Sequence, residues 1–179
     1  MIGSFLNHVK ICLNVICLPS DKADYKLIVL YSMIALVQRV NRGKVNIDGR
    51  PYAQIGHGYV VLVGIFKEDS EKDILKLADK IAHLRIMADK AGKMNKSILE
   101  TGGEILLVPQ FTLCADTDGR RPSFTRAKNP KEAKKLFELL VKKIEEKNIN
   151  VKTGKFGAYM EVTIVNDGPV TILFDSRSI

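Results

Sequence analysis

From Met33 onward the chain alternates short apolar runs with turn-forming residues, and two longer stretches break that rhythm with helical spacing. Met33 to Val40 reads as a strand. Val45-Asn46-Ile47 continues the alternation, and Asp48-Gly49 is a strong hairpin-turn signal leading to a returning strand, Tyr52 to Ile55. After a turn at Gly56-His57-Gly58, Tyr59 to Phe66 is apolar almost without interruption, the mark of a strand buried on both faces. Ser70, with Asp73 three residues on, predicts a helix start. Ile74, Leu77, Ala78, Ile81 and Leu84 repeat at helical spacing and carry that helix to about Ala88. Asp89 to Glu100 is polar and predicts a loop or short hairpin. Thr101-Gly102-Gly103 then turns the chain into a β run, Glu104 to Leu113, broken by Pro109. Asn129-Pro130 has the form of a helix entry, a cap followed by proline at the first helical position. Ala133, Leu136, Phe137, Leu140 and Ile144 give that helix one apolar face. Two further runs, Met160 to Val165 and Val170 to Phe174, flank Asn166-Asp167-Gly168-Pro169.

Strands and helices do not alternate regularly, which argues against a doubly wound parallel sheet. The pattern predicts an α+β domain with a curled, barrel-like sheet and two amphipathic helices, spanning residues 33–179. Residues 1–32 differ from the rest. Their apolar run Ile11 to Leu18 is too short to span a bilayer, and Pro19-Ser20-Asp21-Lys22 follows it without a small-residue cleavage site. The expectation is an N-terminal extension, with Met33 as the natural start; a strand or helix packed on the domain is the alternative.

Charge sharpens this picture. The chain has 28 Lys and Arg against 20 Asp and Glu, a net charge of +8. That suits an anionic partner such as nucleic acid, a membrane surface or a phosphorylated ligand, and equally a solvated basic surface. Cys12, Cys17 and Cys114 are odd in number and, with His8, His57 and His83 scattered, form no metal-ligand spacing. Free thiols in a reducing compartment are expected, with no metal and no cofactor.

Four segments can carry chemistry. Gln110-Phe111-Thr112-Leu113 closes a buried strand with an amide, an aromatic ring and a hydroxyl, and strand alternation would put Gln110 and Thr112 on one face. No acid, His or Lys adjoins Thr112 in sequence to activate it as a nucleophile. Arg120-Arg121-Pro122-Ser123-Phe124 is a basic loop with an aromatic, suited to phosphate contact or simply solvated. Lys155-Phe156-Gly157 is a second basic-aromatic site. Gly168-Pro169 is either a hairpin turn or main chain displayed to a ligand, because Pro cannot donate to a ladder and Gly leaves its backbone bare.

Taken in order, Ala35-Leu36-Val37-Gln38-Arg39-Val40, Pro109-Gln110-Phe111-Thr112-Leu113, Gly119-Arg120-Arg121-Pro122-Ser123-Phe124, Thr153-Gly154-Lys155-Phe156-Gly157-Ala158-Tyr159-Met160 and Asn166-Asp167-Gly168-Pro169-Val170-Thr171 resemble the D-aminoacyl-tRNA deacylases from Met33 to about Asp175. The resemblance implies a cytoplasmic homodimer that hydrolyses the ester of D-aminoacyl-tRNA and of glycine mischarged on tRNA(Ala). It implies sites at the dimer interface, where Gly168-Pro169 of one subunit, in cis and beside Asn166, enters the pocket of the other near Gln110, Phe111 and Thr112. Arg120, Arg121 and Lys155 become tRNA contacts. The family pattern carries Ser before Gln, and here that position is Pro109. A relative that edits L-alanyl-tRNA, and a tRNA-binding module without catalysis, are the competing expectations.

Overall fold

The computed structural model describes residues 15–18, 26–29 and 32–177. Strands β1 (Val15–Leu18) and β2 (Lys26–Val29) pair antiparallel in a sheet of their own. The remainder of the expected N-terminal extension lies outside the described residues.

The main sheet is built from β3 (Ile34–Ile47), β4 (Arg50–Ile55), β5 (Gly58–Gly64), β8 (Glu104–Pro109), β9 (Asn150–Thr153) and β10 (Glu161–Asp175). Its order is β10-β3-β5-β8-β9, with β4 also paired to β3. The first half of β3 pairs with β5 and the second half with β4, so the long strand passes from one neighbour to the next and curls the sheet. Asp48 and Gly49 both have positive φ at the β3–β4 hairpin, as an Asp-Gly turn requires. β5, β8 and β9 are parallel, joined by crossovers that carry α1 (Glu71–His83) and α3 (Pro130–Glu145). Between α1 and β8 lie a small hairpin of β6 (Met87–Ala88) and β7 (Met94–Lys96) and the one-turn helix α2 (Ile98–Thr101).

Alternation then explains the cores. Tyr59, Val61 and Val63 of β5, with Ile105 and Leu107 of β8, face α1 and α3 in one apolar cluster. Val60, Leu106 and Val108 point the other way, into the curl, against Val40, Val45 and Ile55. The central strands are therefore covered on both faces, which is why their sequences read as unbroken apolar runs. This is the expected α+β architecture with a curled, barrel-like sheet. Among the described residues no helix is long and apolar enough to cross a membrane.

Three expectations change. The first helix stops at His83, with Leu84 already extended, rather than running to about Ala88; Ile86 and Met87 are buried from a non-helical segment that pairs with β7. β9 had no separate signal in the sequence. The two runs around Gly168-Pro169 are one strand, β10, paired throughout with β3. Asn166 pairs with Val40 and Val170 with Arg39, so Asp167-Gly168-Pro169 is a three-residue bulge and not a hairpin turn.

Candidate active site

β8 ends at Pro109, which has no N–H to extend the ladder. The chain is caught at the next residue, where the Gln110 N–H donates to the Val63 carbonyl at 2.8 Å. A single 3-10 turn, Phe111–Cys114, follows and is held by Leu113 N–H on Gln110 O and Ala115 N–H on Thr112 O, both at 3.2 Å. Gly64 makes this approach possible. A Cβ there would stand 2.8 Å from Leu113 Cβ and 3.2 Å from Cys114 Sγ. Gln110 and Thr112 do come together, with Gln110 Nε2 donating to Thr112 Oγ1. Turn geometry brings them there, not the strand alternation expected from sequence. The N–H groups of Phe111 and Thr112 precede the turn's first internal bonds and take no part in those that fix it. Beneath, Cys114 is fully buried, and burial, helped by the charge of Asp69, pushes its thiol up to about 12, so it stays neutral and unreactive.

Beside this turn opens a cavity of about 300 Å³ lined by Pro109, Gln110, Phe111, Phe124, Phe137 and Phe156, among others. Phe111, 58% exposed, meets the edge of Phe124 with centroids 5.0 Å apart. The N-terminal half of α3 forms a wall, fixed by the Asn129 side chain accepting from Glu132 N–H at 3.0 Å, with Pro130 at the first helical position. Lys128 is the one ionisable residue in the lining, and its Nζ donates away from it, to Lys67 O at 2.5 Å. The cavity thus offers apolar and aromatic walls with one polar edge at Gln110, the usual constitution of a small-ligand site.

The basic loop is tied at its base by mutual Asp116–Ser123 backbone bonds of 2.7 and 2.9 Å, and by an Arg126–Asp116 ion pair. Arg120 and Arg121 sit exposed at its tip. Phe124 brings the loop to the cavity. Lys155 is exposed and lines a neighbouring hollow.

The β10 bulge is held from β3. Arg39, 9% exposed, places Nε 2.9 Å from Asp167 Oδ2 and 3.2 Å from Asp167 O, while Nη1 donates to Ile86 O at 2.6 Å. His57 Nε2 lies 3.7 Å from the same carboxylate. The Gly168-Pro169 bond is cis, as expected. Gly168 has φ 125°, and a Cβ there would meet Val170 Cγ2 at 2.9 Å, so the position is reserved for glycine. Asn166, Gly168 and Pro169 are all exposed.

The turn and the bulge are far apart in one chain. The turn meets β5 at Val63, opposite Ala35, whereas the bulge sits at Arg39 and Val40. The offset is roughly 13 Å along the strands and about 14 Å across three strand spacings. Sequence reasoning named the turn, the loop and the Gly-Pro pair but not Gly64 or the clamp on Asp167. Arg39 shares its strand with Arg42 and Lys44, so nothing in the sequence marked it as the cation that is buried and must find partners.

Residues 36–175 match the family profile described as D-Tyr-tRNA(Tyr) deacylase. A D-aminoacyl-tRNA deacylase of Thermoanaerobacter sp. (strain X514) is 57% identical over 148 residues, covering 82% of this chain and 99% of the relative. One from Kosmotoga olearia is 51% identical over 146 residues, covering 81% of this chain and 98% of the relative. Among solved structures, the c-Myc DNA Unwinding Element Binding Protein aligns with a TM-score of 0.75 at 39% identity over 79% of this chain and 97% of that one. A probable eukaryotic D-amino acid tRNA deacylase shares the fold with a TM-score of 0.73 at 16% identity, over 80% and 99% of the two chains.

Proposed function

The chain belongs to the D-Tyr-tRNA(Tyr) deacylase family, and we propose that it hydrolyses the ester joining a D-amino acid to tRNA in the cytoplasm, from a domain spanning residues 33–179, with residues 1–32 an extension to it. The observation that carries this reading is the Gln110–Cys114 turn beside an apolar cavity, with two N–H groups that, among the described residues, take no part in the bonds that hold it. The terminal nucleoside of the tRNA enters the cavity, its base against Phe111, Phe124 and Phe156. The ester carbonyl then lies over the turn. Water attacks the carbonyl carbon, the N–H groups of Phe111 and Thr112 receive the charge that develops on its oxygen, and the ribose oxygen leaves with a proton. Gln110 orients the Thr112 hydroxyl. Thr112 positions substrate and is not the nucleophile, because no acid, His or Lys adjoins it in sequence to activate it. Pro109 replaces the family's Ser with no loss to this scheme, which uses main chain. Arg120, Arg121 and Lys155 meet the tRNA backbone.

Chirality enters through the bulge. A rigid stretch of main chain that binds the amino group and leaves no room for an L side chain rejects by clash, which discriminates better than attraction alone. Asn166, Gly168 and Pro169 supply that stretch. Since bulge and turn of one chain are separated, we place them in one site by pairing two chains about a two-fold axis in a homodimer, each lending its bulge to the other's turn. Glycine has no side chain to clash and passes the same filter, so glycyl-tRNA mischarged on tRNA(Ala) is a second substrate.

The test is deacylation of D-tyrosyl-, L-tyrosyl- and L-alanyl-tRNA by the wild-type protein. Release from the D ester alone is expected. Comparable hydrolysis of L-tyrosyl-tRNA would sink the chiral filter. A preference for L-alanyl-tRNA would move the chain to the related editing activity. Binding without hydrolysis of any ester would leave a tRNA-binding module.

A further inference from the structure

A second cavity, of about 490 Å³, adjoins the first along α3 and is lined by Tyr52, Lys134, Lys142, Gly154, Lys155 and Phe156, among others. The two share a wall of Phe137 and Phe156, whose ring centroids are 6.2 Å apart. Tyr52, at the start of β4, is 52% exposed. Glu138 and Glu145 also line the hollow, but Glu138 is engaged by Lys134 at 3.7 Å. Lys142 and Lys155 form no ion pair among the described residues, and the lining carries three lysines, Lys134, Lys142 and Lys155, against the two glutamates. An exposed aromatic, a shared aromatic wall and free lysines next to a nucleoside-sized cavity are the elements of single-strand recognition, in which rings take bases and cations take the phosphates between them.

We propose that this cavity is a nucleotide subsite that takes the nucleotide preceding the terminal one, its base against Tyr52 and Phe156 and its phosphate toward Lys142 and Lys155. The proposal rests on the reading of the first cavity as the terminal-nucleoside pocket. It sets the direction of the bound strand, away from the turn and along α3 toward its C-terminal half.

Two small substrates separate the subsite from the active site: D-tyrosyl-adenosine, which fills only the first cavity, and the D-tyrosyl ester of cytidylyl-adenosine, which reaches the second. For the wild type, kcat/KM for the dinucleotide ester is expected to exceed that for the nucleoside ester by about tenfold, as one stacked base and one phosphate contact allow. Tyr52→Ala and Lys142→Ala are each expected to bring that ratio down severalfold, and Lys142→Arg to restore it, with melting temperatures unchanged. A wild-type ratio near one, or variants that leave the ratio at its wild-type value, would overturn the subsite while leaving the deacylase reading intact. Hydrolysis of neither ester by the wild type would overturn both.

Discussion

The turn at residues 110–114 and the bulge at residues 167–169 both interrupt strands, and they are held in opposite ways. The turn is fixed from behind by the core. Its backbone bonds reach Val63, it sits on the bare face of Gly64, and Cys114 is sealed beneath it. The bulge stands on an outer strand with Gly168 and Pro169 exposed, and the guanidinium of Arg39 ties it to β3 and to Ile86. One device is rigid through packing, the other through a polar clamp. In the proposed reaction the division is apt: the groups that stabilise charge are immobile, and the groups that sort substrates are presented outward, where another chain can meet them.

Removing the clamp should have the largest effect. Arg39→Ala leaves Asp167 without its cation and Ile86 O without its donor, and a misplaced filter is expected to lower kcat/KM for D-tyrosyl-tRNA by about 100-fold. It should also cost about 1–3 kcal/mol of stability, because the buried Ile86 carbonyl loses the donor it has in Arg39. Wild-type activity in a folded Arg39→Ala protein would show that the turn works alone. Gly64→Ala comes next. Its methyl group has to displace Leu113, Cys114 or the Gln110 carbonyl, and a lifted turn is expected to lower kcat by about tenfold or more with little change in KM. Mixing the two variants breaks or sharpens the comparison further. If each site joins the turn of one chain to the bulge of another, half of randomly mixed dimers hold one intact site, and about a quarter of wild-type activity should return. No recovery, with subunit exchange shown independently, would place both devices in one chain.

Neither the turn nor the bulge was legible as such, since the 110–113 segment reads as a continuing strand, and the reason lies in the range of the forces involved. The second helix was legible because Asn129, Pro130 and its apolar spacing are local signals, and β5 was legible because burial on two faces leaves an unbroken apolar run. The bulge was not, because two β runs around Gly-Pro look the same whether the chain doubles back or continues. Only the 14-residue partner β3, more than a hundred positions away, decides it. The bulge also changes which side chains face which core. Val162 and Ile164 pack in the curl, whereas Val170 and Ile172, of the same parity, pack toward the helices. The end of α1 failed for a similar reason. Ile86 and Met87 prolong the apolar pattern, yet the segment unwinds to pair Met87 with Lys96 and to offer the Ile86 carbonyl to Arg39. Gly64 gave no signal, since a close approach depends on what arrives from elsewhere.

A smaller effect separates the two regions by pH. Asp69 lies behind the turn, accepting from Met33 N–H at 2.9 Å and Phe66 N–H at 2.6 Å. Burial raises its carboxyl to about 6 against an ordinary 3.8, with the two backbone bonds opposing that rise. A folded value above the unfolded one means the native state binds the proton more tightly. The resulting stability is complete below about pH 4 and is lost as pH rises through 6. Asp69→Asn turns an NH₂ toward one of two backbone donors and should cost about 1–3 kcal/mol at neutral pH. Chemical denaturation at pH 4.5 and 7.5 checks both points: the difference in stability between wild type and variant should be larger at the lower pH, and an equal difference at the two would remove Asp69 as the titrating group.

The smallest change is expected at the residue that looks most like a catalyst. Thr112→Ala removes the hydroxyl that accepts from Gln110 Nε2 but leaves the N–H groups, the 3-10 turn and its bonds to Leu113 and Ala115 untouched. If main chain stabilises the transition state, kcat should fall by no more than about threefold, since a positioned N–H is worth far more than a neutral side-chain contact. A nucleophilic Thr112 would instead lose essentially all hydrolysis, and a covalent D-aminoacyl adduct would build up in the wild type on rapid acid quench. The two outcomes lie orders of magnitude apart. Thr112→Ala with Gly64→Ala as its companion therefore tells whether this turn acts through what its side chains are or through where its backbone is held.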